Sequence, residues 1–312
     1  MPGIPEFAMD ENKARACVES TLWPNGPICP HCKSADVYRM AIKKTESKKP
    51  GRAGLLRCRS CKKQFTVTVG TIFEGSHIPL TKWLMAIHLM TSSKKGISAH
   101  QLHRMLGVTY KAAWFMSHRL RYAMSQEEVK SKLRGIVEVD ETYVGGKQAN
   151  RSLDMRHRGI MPRKVPVMAL VQRNGRVGTF PIKSANAQTL KSAMVENIQK
   201  SAKVITDRWW AYTGVGKQFK GGHHTVNHSE NQYVRLGNIH TNTVESYFSI
   251  LKRGIMGTFH HISKEHLAQY CAEFAFRWNY KDATDTERAF AALSSTQGKR
   301  LVYGNLQAQG AI

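Results

Sequence analysis

Three acidic residues occupy positions where a carboxylate calls for an explanation. Asp207 ends the apolar run of VITDRWWAY (204–212), and Asp140 lies inside the predicted strand of VEVDETY. A carboxylate in a buried strand is costly unless it is paired or bound to a metal. Glu245 begins a predicted helix in HTNTVESYFSILKRG, and Lys252 follows two turns later on the same face. Carboxylates from three elements are a typical ligand set for Mg²⁺, and two such ions suit phosphodiester chemistry.

Each of these acids also has a structural explanation when it is considered alone. Asp207 could cap a following helix, which Asp does often. Glu138 and Glu141 are local rivals of Asp140, because one shares its predicted strand face and the other is its neighbour. Glu245 could belong to a surface ion pair. The three acids together favour a divalent-cation site.

Four cysteines form two tight pairs, Cys29-Pro-His-Cys32 and Cys58-Arg-Ser-Cys61, separated by 25 residues of basic, Gly- and Pro-marked sequence. Each pair can bind one side of a tetrahedral Zn²⁺, so the spacing predicts a zinc ribbon with a structural zinc ion. Four free thiols are the alternative, and His31 is a rival ligand within the first pair. Paired spacing of this kind favours metal in a reducing compartment over disulfides.

The chain of 312 residues is strongly basic, with 47 Lys and Arg against 22 Asp and Glu, a formal charge of +25. That excess is spread along the chain and exceeds what solubility needs, which favours a polyanionic partner, above all nucleic acid. The sequence contains no apolar run long enough to span a membrane and no basic amphipathic anchor, so we expect no membrane partner. We expect a cytoplasmic protein.

Residues 97–124 predict two amphipathic helices joined at Gly107 and capped by Ser98 and Thr109, the layout of a helix-turn-helix. An ordinary helical hairpin without DNA contact is the alternative. The basic surroundings favour DNA binding. The predicted DNA-contacting residues of the second helix are Lys111, His118, Arg119 and Arg121.

From residue 135 onward, strands and helices alternate in a mixed order that predicts an α/β domain with three antiparallel strands followed by helix-connected ones. The strong hairpin signal is Asn174-Gly175. Predicted strands cover 135–146, two segments within 166–182, 203–207 and 223–228; predicted helices cover 185–200, 242–255 and 264–281.

From about residue 15 to 300, the chain resembles bacterial insertion-sequence transposases of the zinc-ribbon type, relatives of the Merlin transposons. The motifs that carry the resemblance are CPHC…CRSC, QFTVTVGTIFEGSHIPLTKW, VDETYVGGK, ITDRWWAY and HTNTVESYFSILKRGIMGTFHHIS, of which the last three are the specific ones. The resemblance implies an RNase H-like domain with a catalytic Asp-Asp-Glu triad, matched by Asp140, Asp207 and Glu245. Lys252 matches the family's downstream Lys, and Asn242 is a minor alternative to Glu245.

The resemblance implies a DNA transposase that binds terminal inverted repeats, cleaves a strand and transfers the 3′-hydroxyl to target DNA. We expect two Mg²⁺ ions, for which Mn²⁺ can substitute, and a homodimer or larger assembly on double-stranded DNA, associated with the nucleoid. A DNA-binding regulator without catalysis and a structure-selective nuclease are the alternatives. Further predicted DNA contacts are Trp209 and Trp210, of which one faces DNA, with Lys252, Arg253 and His261.

These patterns predict a domain order in which the DNA-binding modules precede the catalytic domain. The expected boundaries are a tag or disordered start over 1–14, a zinc ribbon over 15–72, a helix-turn-helix domain over 73–126, a linker over 127–134, a catalytic domain over 135–300 and a tail over 301–312.

Overall fold

The computed structural model describes residues 3–41, 53–125, 132–145, 164–226 and 238–302. The chain forms two compact units. The first comprises residues 1–93, 97–124 and 282–306, and the second comprises 94–96, 125–281 and 307–312. Most of the predicted linker (127–134), most of the predicted tail (301–312) and the end of the VDETYVGGK motif lie outside the described residues.

The first unit contains the ribbon, an antiparallel sheet whose described strands are β1 (Val37–Arg39), β2 (Leu56–Cys58) and β3 (Gln64–Phe65). Its small core contains Leu56 and Phe65. The alternation of Phe65, Val67 and Val69 favours a strand over these residues, but the strand ends at Phe65. Residues 66–71 turn instead, with hydroxyl bonds such as that from Thr71 Oγ1 to the carbonyl of Thr68 (2.7 Å). Such local bonds compete with a sheet ladder.

Helices make up the rest of the first unit's N-terminal part: α1 (Ile4–Phe7), α2 (Glu11–Leu22), α3 (Leu80–Ser92), α4 (Ala99–Leu106) and α5 (Tyr110–Met124). Residues 3–14 therefore contain helical structure where the sequence predicted a tag or disordered start, and Ile4 is fully buried. Thr81, a residue type that often caps helices, is inside α3 and not at its cap position. The carboxylate of Glu11 caps it instead, accepting from the backbone N–H of Leu80 at 3.1 Å and of Thr81 at 3.2 Å.

The two predicted helices around Gly107 are present, and their boundaries have local causes. Ser98 accepts from the N–H of Gln101 at 3.1 Å and Thr109 from that of Ala112 at 3.2 Å, as the sequence predicts. Gly107 ends α4 in the left-handed conformation at φ 59°, which glycine adopts without a Cβ penalty.

The second unit is built on a mixed sheet whose described strands are β4 (Ile136–Val144), β5 (Val165–Gln172), β6 (Val177–Pro181), β7 (Lys203–Asp207) and β8 (His223–Val226). Their spatial order is β6-β5-β4-β7-β8. The first three strands pair antiparallel, whereas β7 and β8 run parallel to β4. This arrangement confirms the predicted RNase H-like α/β fold.

Helices cover both faces of this sheet. Helix α6 (Ala187–Asn197) packs on the face that receives Val137 and Val139. Helices α7 (Asn242–Gly254) and α8 (Leu267–Asn279) pack on the opposite face, which receives Val144. Because side chains alternate along a strand, the even-numbered residues of β4, Asp140 among them, point towards the α7 face.

Helix α9 (Asp285–Ser294) belongs to the first unit, which takes up residues 282–306, whereas the sequence predicted a catalytic domain reaching residue 300. A capping box between Thr284 and Glu287 starts the helix. Arg288 then donates to the carbonyl of Thr91 at 3.1 Å. Among the helices of the described ranges, none is both long and apolar enough to cross a membrane.

Candidate active site and metal sites

Asp140 and Asp207 lie on neighbouring strands of the central sheet. Strands β4 and β7 are parallel, with Glu138 opposite Ile205. Continuing this register by two residues sets Asp207 opposite Asp140 on the same face. Since paired strands are about 4.8 Å apart, the two carboxylates are neighbours although 66 residues separate them in the chain.

Glu245 reaches the same place from above the sheet. It lies in the first turn of α7, where its Oε1 accepts from the hydroxyl of Thr241 at 2.8 Å. Asp140, Glu141 and Glu245 all line one cleft of about 760 Å³. Asn242, the alternative to Glu245, is exposed one turn earlier on α7 and is not among the residues that line this cleft.

The carboxylates perturb one another. Burial, together with the negative charges of Glu141, Asp207 and Glu245, raises the pKa of Asp140 to about 7. The backbone N–H of Glu141, which donates to Asp140 Oδ1 at 2.8 Å, opposes this effect. Mutual repulsion among carboxylates is relieved when a cation binds between them.

Glu141 adds a fourth carboxylate, held by a tyrosine. The buried hydroxyl of Tyr212 donates to Glu141 Oε2 at 2.5 Å. Burial raises the pKa of Glu141, although the bond from Tyr212 acts in the opposite direction. Tyr212 therefore orients Glu141 at the edge of the acidic cluster.

The walls of the cleft are basic. Lys252 and Arg253, near the end of α7, line it together with Lys95. All three residues are exposed to solvent. A cleft lined by both carboxylates and cationic side chains suits a phosphodiester bound through divalent cations, because carboxylates are good ligands for these metals and Lys and Arg side chains neutralise phosphate charge.

The cysteine cluster fits a structural zinc ion. The sulfur atoms of Cys29, Cys32, Cys58 and Cys61 all lie within 4.8 Å of one another, and the pairs Cys29–Cys61 and Cys32–Cys58 are 3.6 and 3.5 Å apart. A tetrahedron with Zn–S bonds of about 2.3 Å has sulfur–sulfur edges of about 3.8 Å. The four thiols are therefore already arranged as a zinc site, and none of these distances is that of a disulfide.

Two matching turns build the zinc site. Lys33 follows Cys32 and Lys62 follows Cys61, and both lysines have positive φ, 63° and 61°. In each pair the chain thus reverses directly after the second cysteine. His31, the rival ligand of the sequence interpretation, is exposed and lies outside the cluster.

The structure corrects part of the predicted DNA surface on α5. His118, Arg119 and Arg121 are buried. Arg119 donates to the carbonyls of Ile72 at 2.7 Å and Leu301 at 3.1 Å. The prediction that these three side chains contact DNA is therefore wrong for this structure, because α5 turns that face into the core of its unit.

The other residues predicted to contact DNA differ in their exposure to solvent. Lys111, Lys252, Arg253 and His261 are exposed. Trp210 is 69% exposed, whereas Trp209 packs against the core beneath the sheet. This is consistent with the expectation that one Trp of the pair faces DNA.

Sequence reasoning missed three residues around the cluster: Tyr212, Lys95 and Arg173. Arg173 donates from Nε to the buried carboxylate of Glu138 at 2.6 Å. Glu138 was treated as a rival of Asp140, yet it does not line the cleft. Its position two residues before Asp140 was visible in the sequence, but its partners come from distant segments that no local pattern connects.

The chain is similar to known transposase domains. A family model described as the ISXO2-like transposase domain matches residues 132–279, and one described as the transposase zinc-ribbon domain matches residues 9–64. A protein of Halobacterium salinarum named "Uncharacterized protein in transposable element ISH50" is 29% identical over 280 residues, which cover 86% of this chain and 91% of that protein.

Proposed function

Since the chain belongs to the transposases of insertion sequences, we propose that the cleft around Asp140 cleaves one DNA strand at each end of the parent element. The same site then joins the freed 3′-hydroxyl to target DNA. The observation that carries this proposal is the meeting of carboxylates from β4, β7 and α7 beside a basic wall.

The residues that line the cleft and Asp207, whose charge acts on Asp140 beside it, divide the chemistry between them. Asp140, Asp207 and Glu245 would hold two divalent cations, Mg²⁺ or Mn²⁺. When bound, these ions supply Lewis acidity at the attacking and leaving oxygens of the phosphodiester. Lys252 and Arg253 bind the neighbouring phosphates and hold the strand in line, so that the protein acts by positioning and charge neutralisation.

The first unit supplies a second DNA surface in this proposal. Between Glu74 and Glu127 the sequence contains no Asp or Glu. At the exposed junction of α4 and α5, the ring of Tyr110 stacks on that of His100, with centroids 4.2 Å apart, and Lys111 is exposed beside it. Arg104 is exposed one turn away. Lys111 and the start of α5 bind the terminal repeats here, in place of the buried residues further along the helix.

Two element ends must be processed together for transposition, so the proposal includes a dimer or larger assembly on double-stranded DNA. Analytical ultracentrifugation with and without repeat DNA measures this directly. A complex containing one protein chain under cleavage conditions contradicts the assembly but leaves the cleavage chemistry open to separate measurement.

A strand-transfer assay on labelled ends of the parent element, with Mg²⁺ or Mn²⁺, tests the chemistry. The proposal expects cleavage and joining by the wild type and neither by D140A, D207A or E245A, while repeat binding persists in all of them. E196Q, which alters an exposed carboxylate on α6, is the matched control. Repeat binding without cleavage by the wild type indicates a regulator, and cleavage without joining indicates a nuclease.

The choice between Glu245 and Asn242 has its own comparison in that assay. E245A removes a side chain of the cleft, whereas N242A removes an exposed one outside it. We expect only E245A to lose activity. Loss in N242A with activity retained in E245A reverses the assignment.

A further inference from the structure

Glu138 is a buried carboxylate two residues before Asp140 on β4, on the same face of the sheet, with no solvent exposure. Its Oε2 accepts from the backbone N–H of Thr243 at 2.8 Å and of Val244 at 3.0 Å. Its Oε1 accepts from the hydroxyl of Thr243 at 2.8 Å. The side chain therefore binds the N-terminus of α7, the helix that carries Glu245.

Arg173, just after β5, completes this contact. Its guanidinium donates to Glu138 Oε1 at 2.6 Å, to the carbonyl of Asn238 at 2.6 Å and to the carbonyl of His240 at 2.9 Å. One side chain thus links the strand carboxylate to the segment that leads into α7. Both the helix and its approach are attached to Glu138.

Helix α7 needs this attachment because the side chain of its N-cap residue accepts no hydrogen bond from the first N–H groups of the helix. The first N–H groups of a helix have no partner within the helix. Thr241 occupies the N-cap position, but its side chain makes no capping bond and instead donates to Glu245. Glu138 supplies the missing acceptor, and its negative charge is favoured at the positive end of the helix dipole.

This contact lies a short step from the acidic cluster on both sides. Along β4, Asp140 is one strand repeat, about 6.6 Å, beyond Glu138. Along α7, Glu245 directly follows Val244. A small movement of α7 relative to β4 at this point changes the distance between the carboxylates of Asp140 and Glu245.

We infer that Glu138 and Arg173 are a positioning pair that fixes α7 against β4 and thereby sets the divalent-cation affinity of the Asp140–Glu245 cluster. This inference rests on the proposed function, in which that cluster holds the cations. Mg²⁺ demands near-octahedral geometry with ligands at about 2.0–2.1 Å, so small ligand displacements reduce affinity. Loss of an outer partner of a metal ligand typically reduces affinity 10–100-fold.

The test compares Glu138→Gln with Glu273→Gln. Glu273 is equally buried and is paired with an arginine, Arg277, within α8 of the same unit, so it is a buried carboxylate on a different helix from the start of α7. Isothermal titration of Mn²⁺ measures cation affinity, and hydrogen exchange on the metal-free protein measures the amides of Thr243 to Glu245.

We expect E138Q to raise the Mn²⁺ dissociation constant about 10-fold or more and to speed exchange at the start of α7. E273Q is expected to lower thermal stability without either effect. Equal Mn²⁺ affinity and equal α7 exchange in the two variants overturns the inference.

A milder variant covers the case in which E138Q does not fold. Thr243→Val removes the hydroxyl donor to Glu138 but keeps both backbone bonds. We expect a smaller change in the same direction, and wild-type affinity and exchange overturn the inference. A wild type that neither binds Mn²⁺ nor cleaves DNA instead refutes the proposed function itself, which separates the two failures.

Discussion

Replacing Asp140 by Asn should stabilise the metal-free protein at alkaline pH, although it removes a proposed cation ligand. The pKa of Asp140 is about 7 in the fold, because of burial and the neighbouring carboxylates, against an ordinary value of 3.8. A tenfold difference in proton affinity corresponds to about 1.4 kcal/mol. The ionised side chain therefore destabilises the fold by up to about 4 kcal/mol.

The direction of this pH dependence of stability follows from whether the folded or the unfolded chain loses the Asp140 proton at lower pH. Because the pKa in the fold is raised, the unfolded chain ionises at lower pH than the folded one. For this group the wild type in EDTA is most stable below about pH 4, loses stability between about pH 4 and 7, and changes no further above that range. Asn cannot ionise, so D140N lacks this loss.

Thermal unfolding of wild type, D140N and the exposed control E196Q at pH 8 in EDTA measures the effect. We expect the midpoint of D140N to exceed that of the wild type by on the order of 5–10 °C, with E196Q close to the wild type. Mg²⁺ should then raise the wild-type midpoint and leave D140N nearly unchanged, since binding stabilises only a protein with an intact site.

Two outcomes refute this reasoning. A D140N midpoint in EDTA at or below that of the wild type shows that Asp140 is not destabilised by its surroundings. An equal response of both proteins to Mg²⁺ shows that the cation binds elsewhere.

Three further predictions concern the zinc site and the DNA surfaces. C58S should lose zinc and unfold at a lower temperature, whereas C17S, at a buried cysteine outside the cluster, should retain its zinc. Metal analysis of the two purified variants checks this, and full zinc content in C58S contradicts the site. W210A should weaken single-stranded DNA binding by about 1–3 kcal/mol with little effect on stability, while W209A should mainly destabilise the core. Binding and melting assays measure both effects, and the reverse pattern rejects the assignment of Trp210 to the DNA surface. K111Q should lower the slope of log affinity for repeat DNA against log salt by about 1, and an unchanged slope removes Lys111 from the phosphate contacts.

Much of the fold was predictable because local signals were strong. Strand β7 has the predicted boundaries, and the turn at Asn174-Gly175 joins β5 to β6. Helices α2 and α9 were missed. The first crosses the predicted boundary between the disordered start (1–14) and the zinc ribbon (15–72), and the second follows the last predicted helix, in a segment assigned to the catalytic domain.

The candidate site divides in the same way. The sequence alone determined which residue types were available: two cysteine pairs at zinc spacing, and acids at a strand centre, a strand end and a helix start. Residue type and short spacing are local properties, so the identity of Asp140, Asp207 and Glu245 as candidates did not require the fold.

Only the tertiary structure decided which charged side chains face solvent and which face the core. Arg119 and Arg121 look like DNA ligands in the sequence, yet packing buries them in their unit. Glu138 looks like a rival metal ligand, yet Arg173 and the start of α7 occupy its carboxylate. The physical reason is that a buried charge is stable only beside partners from distant parts of the chain, and no local pattern specifies where those partners come to lie.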